Sequence, residues 1–240
     1  MNQVVALEVK FNAGNESNTI YPVIVKDEEE MILIDCGYPN FLPLIKKAAE
    51  SRGINLDEVT KIVITHHDHD HIGALADFKK QYPNVVIISS EIDERYISGK
   101  EKSLRLQQAE ALFDSLPDDE KPFAEGFHKL LQSVGSVGVD TVVKDKDVFS
   151  WAGGFEIVAT PGHMPGHICV YLREFKTLIA GDALVVENDE LSIPNQQYTL
   201  DMDEAKRSIK KLLAFDIEQI ICYHGGVYTR DIKGSLEKLI

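Results

Sequence analysis

Apolar residues recur along this chain in two rhythms. Short runs rich in β-branched residues cover 20–25, 31–35, 61–64, 84–89, 141–149, 155–159, 168–172, 177–180 and 217–223, and read as strands. Between them, apolar residues return at helical spacing. Leu42, Ile45, Ala48 and Ala49 mark a helix that Asn40 would cap and Gly53 would close. Helical patterns also cover 73–81, 101–116, the stretch holding Phe123, Phe127, Leu130, Leu131 and Val134, and 234–240. Another, with Ala205, Ile209, Leu212 and Leu213, follows a capping box of Asp201 and Glu204. Turn signals at 12–15 and 26–30 predict an antiparallel hairpin leading into a sheet, and the polar segment 184–200 reads as a loop.

The same order of strand, loop and helix runs through both halves of the chain. No linker, repeat or low-complexity tract divides it, so 1–240 is expected to be one α/β domain, two sheets packed together with helices outside. Residues 91–135 look like a helical insertion, broken between Pro117 and Pro122. Its Phe123 and Phe127 either form an apolar lid or simply pack; His128 falls off their stripe and is expected to be exposed.

Composition narrows the class. A chain of 240 residues, 44% hydrophobic, can bury one sizeable core. Its formal charge of −14 argues against a nucleic-acid partner, which needs a basic track. No apolar run approaches the roughly 18 residues of a membrane span, and the N-terminus does not resemble an export signal. The three cysteines, Cys36, Cys169 and Cys222, lack zinc-ribbon spacing and fit a reducing cytoplasm. Cys222 is expected to be a buried thiol rather than a ligand.

The chemistry gathers in the histidines. Seven of the eight fall in three short segments: 66–71, His163 with His167, and His224. Each segment follows a strand-like run, where α/β proteins place reactive groups. The first segment, His66-His67-Asp68-His69-Asp70-His71, mixes imidazole and carboxylate, a combination suited to zinc, iron or manganese. Two alternating sets of such ligands in one loop can hold two ions side by side.

These segments resemble, in order, the motifs of the metallo-β-lactamase superfamily. Leu33-Ile34-Asp35-Cys36-Gly37 is similar to its first motif; the histidine cluster, Pro161-Gly162-His163, Gly181-Asp182 and His224 follow. The resemblance implies a four-layer αββα sandwich. It also implies one cation on His66, Asp68 and His163, a second on Asp70, His71 and His224, and Asp182 bridging them. Asp70-His71-Ile72-Gly73 sets this frame, which leaves His67 and His69 outside it. Asp68 stands where the commonest pattern, His-x-His-x-Asp-His, has histidine. Its hard oxygen tilts the site somewhat towards iron or manganese, although zinc stays the first expectation. By the same resemblance Asp35 orients the metal loop, and His167 hydrogen-bonds near the site.

The function expected from the resemblance is hydrolysis of a small ester, thioester, lactone or amide. A hydroxide shared by two divalent ions about 3.5–4 Å apart would attack, and Asp70 would take or relay a proton. Tyr198 is a candidate donor to the developing oxyanion, with packing as its plainer role; Tyr223 would face away. Two alternatives stand beside this: a diiron oxidoreductase prompted by Asp68, and an inert metal-binding scaffold. The expected partner is a small-molecule substrate, with no membrane and no nucleic acid, and a homodimer is left open.

Overall fold

The computed structural model describes residues 2–14 and 16–240. The strands are β1 (Gln3–Ala6), β2 (Val9–Ala13), β3 (Glu16–Ile20), β4 (Val23–Lys26), β5 (Met31–Ile34), β6 (Lys61–Val63), β7 (Val86–Ser90), β8 (Thr141–Val143) and β9 (Val148–Phe149), then β10 (Phe155–Ala159), β11 (Ile168–Leu172), β12 (Thr177–Gly181), β13 (Val185–Glu187), β14 (Glu190–Ser192), β15 (Gln219–Cys222) and β16 (Gly226–Tyr228). The helices are α1 (Leu42–Ser51), α2 (His69–Ile72), α3 (Leu75–Gln81), α4 (Glu91–Ile97), α5 (Leu104–Phe113), α6 (Lys121–Gln132), α7 (Met202–Leu212) and α8 (Ile232–Glu237). Among the described residues, none is long and apolar enough to cross a membrane.

Two sheets carry the fold, in the orders β1-β4-β5-β6-β7-β8 and β16-β15-β12-β11-β10-β9. Side chains alternate across a strand, and that alternation builds the layers. In β4, Val23 and Val25 face the other sheet while Ile24 faces the helices. In β11, Ile168, Val170 and Leu172 face inward, and Cys169 and Tyr171 outward. The inner faces meet in one core containing Ile34, Val63, Ile157 and Ile179. Outside the first sheet lie Ile45 and Ala49 of α1 and Phe78 of α3; outside the second lie Ile209 of α7 and Leu236 of α8. The result is the expected four-layer αββα sandwich.

Strand direction then places the chemistry. β5, β6 and β7 are mutually parallel. β12 and β15 are parallel, and β10 runs the same way because each of β10 and β12 pairs antiparallel with β11. The carboxyl ends of β5, β6, β10, β12 and β15 therefore lie along one edge of the sandwich. Loops from the two sheets are stitched together there: the Ile168 amide donates to the Thr65 carbonyl at 3.0 Å, and the Tyr21 amide to the Tyr223 carbonyl at 2.9 Å.

Several elements differ from the sequence reading. The run 141–149 is two strands in different sheets. At Lys144–Asp147 the Asp147 carboxylate accepts from the Lys144 amide at 2.8 Å, and this turn carries the chain from one sheet to the other. The run 20–25 breaks at Tyr21-Pro22, because proline has no N–H for the ladder. Asn40 does not cap α1. It sits at φ 68°, Phe41 takes the cap position without a side-chain bond, and Pro43 occupies the first turn. The helix predicted over 73–81 is α3, which begins at Leu75, and a separate turn of helix, α2, precedes it inside the histidine cluster itself.

The insertion holds α4 as well as α5 and α6, the first hidden by its shortness. Pro122 lies inside the first turn of α6, where a missing N–H costs nothing. His128 is half-buried, not exposed, with its ring 5.3 Å from that of Phe113. The segment 184–200 holds the β13–β14 hairpin, with Leu191 buried. Asn15, the last residue of the predicted 12–15 turn, lies outside the described residues; Gly14 before it has φ 63°.

Candidate metal centre

Four strand ends deliver the site. β6 leads into Thr65-His66-His67-Asp68, and α2 carries Asp70 and His71. The loop after β10 brings His163, the end of β12 brings Asp182, and the residues after β15 bring His224. Gly162 and Gly181 make this convergence fit. Gly162 has φ 141°, and a Cβ there would lie 2.4 Å from the Ala205 backbone of α7. A Cβ on Gly181 would meet His167 Nε2 at 2.7 Å.

All seven residues expected to hold metal come together. Three groups have ligand atoms within 4.8 Å of one another: His66, Asp68 and His163; His66, His71 and Asp182; Asp70, His71 and His224. Asp182 stands between the sets. Its Oδ1 is 3.4 Å from His71 Nε2, and its Oδ2 is 3.7 Å from His163 Nε2 and 3.6 Å from His224 Nε2. His163 Nε2 lies 3.1 Å from Asp68 Oδ2, and His224 Nε2 lies 3.1 Å from Asp70 Oδ2.

The donor atoms fit a divalent cation. His66 Nε2, His71 Nε2 and Asp182 Oδ1 are fully buried without a hydrogen-bond partner, all aimed at this centre. Buried polar atoms are nearly always satisfied, so three orphans facing each other mark a ligand-binding point. Imidazole nitrogen with carboxylate oxygen is the set that zinc, iron or manganese takes.

Charge is balanced accordingly. Burial alone would raise the Asp68 pKa, but hydrogen bonds from His163 and His66 and the nearby Arg105 hold it well below the usual carboxylate range. For Asp182 burial is likewise outweighed, here by His224 and His71, and its pKa is also well lowered. His71 and His224 are pushed up in spite of burial, His71 by Asp182, Asp35 and Asp70, His224 by Asp182 and Asp70. Burial and His71 push His66 down.

The supporting residues are ordered around the ligands. Asp35, at φ 59° and buried, accepts from the Thr65 amide at 2.9 Å, the Thr65 hydroxyl at 2.7 Å and His71 Nδ1 at 2.8 Å. His71 therefore has its Nε2 free for the centre. His167 Nδ1 pairs with Thr160 Oγ1 at 2.8 Å, and its Nε2 accepts from the Asp182 amide at 3.0 Å. Burial, with His66 beside it, holds this ring neutral. His67 points away from the centre, bonded through Nδ1 to Asp93 and stacked on Tyr96 at 4.2 Å. His69 belongs to none of the three groups and lies edge-on to Tyr38 and Phe127. Cys222 is a buried thiol, also outside them.

Three contributors were not legible in the sequence. Tyr223 tucks under the metal loop: its hydroxyl donates to the Asp70 carbonyl at 2.6 Å and its ring lies 3.9 Å from that of His71. Arg105, from the first turn of α5, grips Asp68. A cavity of about 380 Å³ beside the metal loop, lined by His69, Ile72, Ile97, Leu106, Leu131 and Val134 among others, lies under the insertion. Tyr198 is half exposed, and its backbone carbonyl, not its hydroxyl, bonds Arg105, at 2.9 Å.

Comparison with known proteins gives the family and the fold. The family model of the metallo-beta-lactamase superfamily matches residues 19–224. The chain is 27% identical to the probable metallo-hydrolase YflN of Bacillus subtilis, over 93% of this chain and 86% of that one. It is 22% identical to the probable metallo-hydrolase YybB of the same organism, over 77% of this chain and 71% of that one. Among solved structures, the metallo-beta-lactamase family protein TTHA1429 of Thermus thermophilus superposes with a TM-score of 0.75 at 22% identity, covering 98% of this chain and 77% of that one.

Proposed function

The chain belongs to the metallo-beta-lactamase superfamily, and from that premise we propose that it is a binuclear metal-dependent hydrolase of a small ester, thioester, lactone or amide. The observation that carries this reading is the meeting of seven buried or half-buried ligand residues with three unpartnered donor atoms at one point. Two bound divalent cations, zinc as the first expectation and iron or manganese as alternatives, would supply Lewis acidity and an acidified water.

The chain's own residues do the rest. His66, Asp68 and His163 would hold one cation and Asp70, His71 and His224 the other, with Asp182 between. In this reading Asp70 also takes a proton and passes it on. Tyr198, at the rim beside Arg105 with its ring 6.0 Å from the guanidinium, is the proposed donor to a substrate oxygen. Its replacement by phenylalanine should lower turnover and leave bound metal unchanged. The formal charge of −14 supports a small molecule over nucleic acid as substrate.

The test is elemental analysis of protein purified without added metal, followed by an ester, thioester, lactone and amide panel. Two ions per chain and turnover of one substrate class are expected. Two ions with no turnover on any class would reduce the protein to a scaffold.

The lid divides into two residues with different expectations. The Phe127 ring meets His69 at 5.5 Å, while Phe123 is 83% exposed. Phe127→Ala should raise KM for a found substrate by about three- to tenfold, the value of a lost apolar contact of about 1 kcal/mol. Phe123→Ala should change neither KM nor kcat. Equal effects from both would show that the stripe acts through packing of the insertion alone.

Proton and cation compete for the same imidazole nitrogens. The raised pKa values of His71 and His224 stabilise the metal-stripped fold fully below about pH 6.5, and that contribution fades as pH climbs through the folded-state values. Stripped protein should lose stability on going alkaline while zinc-loaded protein does not. The gap in Tm between the two is expected to widen as pH rises above about 6.5. A constant or narrowing gap in thermal melts would contradict this pairing of charges.

A further inference from the structure

Asp68 differs from its partners in what stands behind it. Arg105 Nε is 3.2 Å from Asp68 Oδ1 and Nη2 is 2.7 Å from Oδ2, a two-point grip on one carboxylate. The guanidinium is buried and has further anchors: Nη2 donates to the Tyr198 carbonyl at 2.9 Å and Nη1 to Gln108 Oε1 at 2.8 Å. The helix that carries it is docked on the same loop, since the Leu104 amide donates to His67 Nε2 at 3.3 Å. Arg105 thus has no room to swing away from Asp68.

The grip has two chemical consequences. Arg105 holds both oxygens, and Oδ2 is the one that also lies beside the ligand histidines, 3.1 Å from His163 Nε2 and 3.6 Å from His66 Nε2, so Asp68 offers a cation Oδ2 through its remaining lone pair. The second consequence is charge. Two divalent cations against three carboxylates, Asp68, Asp70 and Asp182, leave one positive unit fewer than they would with an imidazole in place of Asp68. The fixed guanidinium returns that unit.

Resting on the metal-centre reading above, we propose that Arg105 is a positioning residue. It makes Asp68 a one-oxygen ligand with its charge offset, and so sets the affinity and ion preference of the first metal position. A free carboxylate there would draw hard cations such as Mn²⁺ by its charge; paired with Arg105, it presents the first ion with an environment closer to that of a neutral imidazole.

The test is competition against a chromophoric chelator, with Zn²⁺ and with Mn²⁺, on the full-length wild type and on Asp68→His, Arg105→Met and the double variant. Asp68→His alone leaves an unpaired guanidinium facing two cations, and should weaken one of the two Zn²⁺ ions by at least about tenfold. Adding Arg105→Met to it should restore most of that loss, a coupling that a double-mutant cycle reads directly. Arg105→Met alone should shift the first position towards Mn²⁺ over Zn²⁺ by about tenfold or more. Breaking a buried ion pair can unfold a protein; if Arg105→Met does so, the comparison of Asp68→His with the double variant decides. Equal Zn²⁺ binding by those two, or an unchanged Zn²⁺ to Mn²⁺ ratio in a folded Arg105→Met, overturns the proposal while leaving the metal centre standing. A wild type that binds neither ion overturns both.

Discussion

Asp182→Ala is expected to lower turnover of any substrate by at least about a thousandfold and to reduce the metal bound per chain. Among the described residues, no other carboxylate lies in a candidate ligand group between the two sets of imidazoles. Its Oδ1 faces His71 and its Oδ2 faces both His163 and His224. In the proposed assignment its removal would take one anionic ligand from both ions at once and leave histidine rings crowded around a positive centre. Asp182→Asn separates shape from charge: it fills the same volume, and it should lose activity nearly as completely. Kinetics and elemental analysis on the same preparations check the prediction. Near-normal turnover with two ions still bound would contradict the proposed assignment of ligands.

The second large effect is expected at Asp35, which touches no cation in the proposed site. It accepts from the Thr65 amide, the Thr65 hydroxyl and His71 Nδ1, all from a buried position. Truncation to alanine leaves these donors unpaired at roughly 1–3 kcal/mol each and frees His71 to turn. Metal affinity at the second position should fall by about 10- to 100-fold, the usual effect of losing a ligand's outer partner. Backbone strain adds to this, because Asp35 sits at φ 59°, where alanine is disfavoured and asparagine or aspartate is tolerated. Asp35→Asn keeps that backbone and one acceptor oxygen, so it should fold better than alanine while still weakening the second ion. Unchanged affinity for both ions in Asp35→Asn would show that Asp35 only holds the backbone.

Much of the candidate site could be read from residues close in sequence. The cluster at 66–71 announces itself, because metal ligands need particular atoms and local spacing puts several of them on one loop. His163, Asp182 and His224 each follow an apolar run, which pointed to strand ends, and the sheet topology brings those ends to one edge. The runs that became β4, β5 and β11 are apolar almost throughout, so they could be read as buried strands, and the backbone period then turns alternate residues to opposite faces.

What stayed hidden depended on contacts between distant parts of the chain. Arg105 looks like any charge on an amphipathic helix; its partner Asp68 lies 37 positions away, and only the docking of α5 brings them together. Tyr223 follows a strand and was expected to face away from the site, yet it packs under His71 because its strand ends against the loop of the other sheet. The division of 141–149 between two sheets has the same origin, for an apolar run shows that a segment is buried but not which sheet receives it. The sequence alone determined the donor atoms, their order and the alternating faces, since these follow from side-chain chemistry and backbone period. The tertiary structure decided which charges stand behind the donors and what roofs them, because those depend on helices whose own patterns say only that one side is apolar.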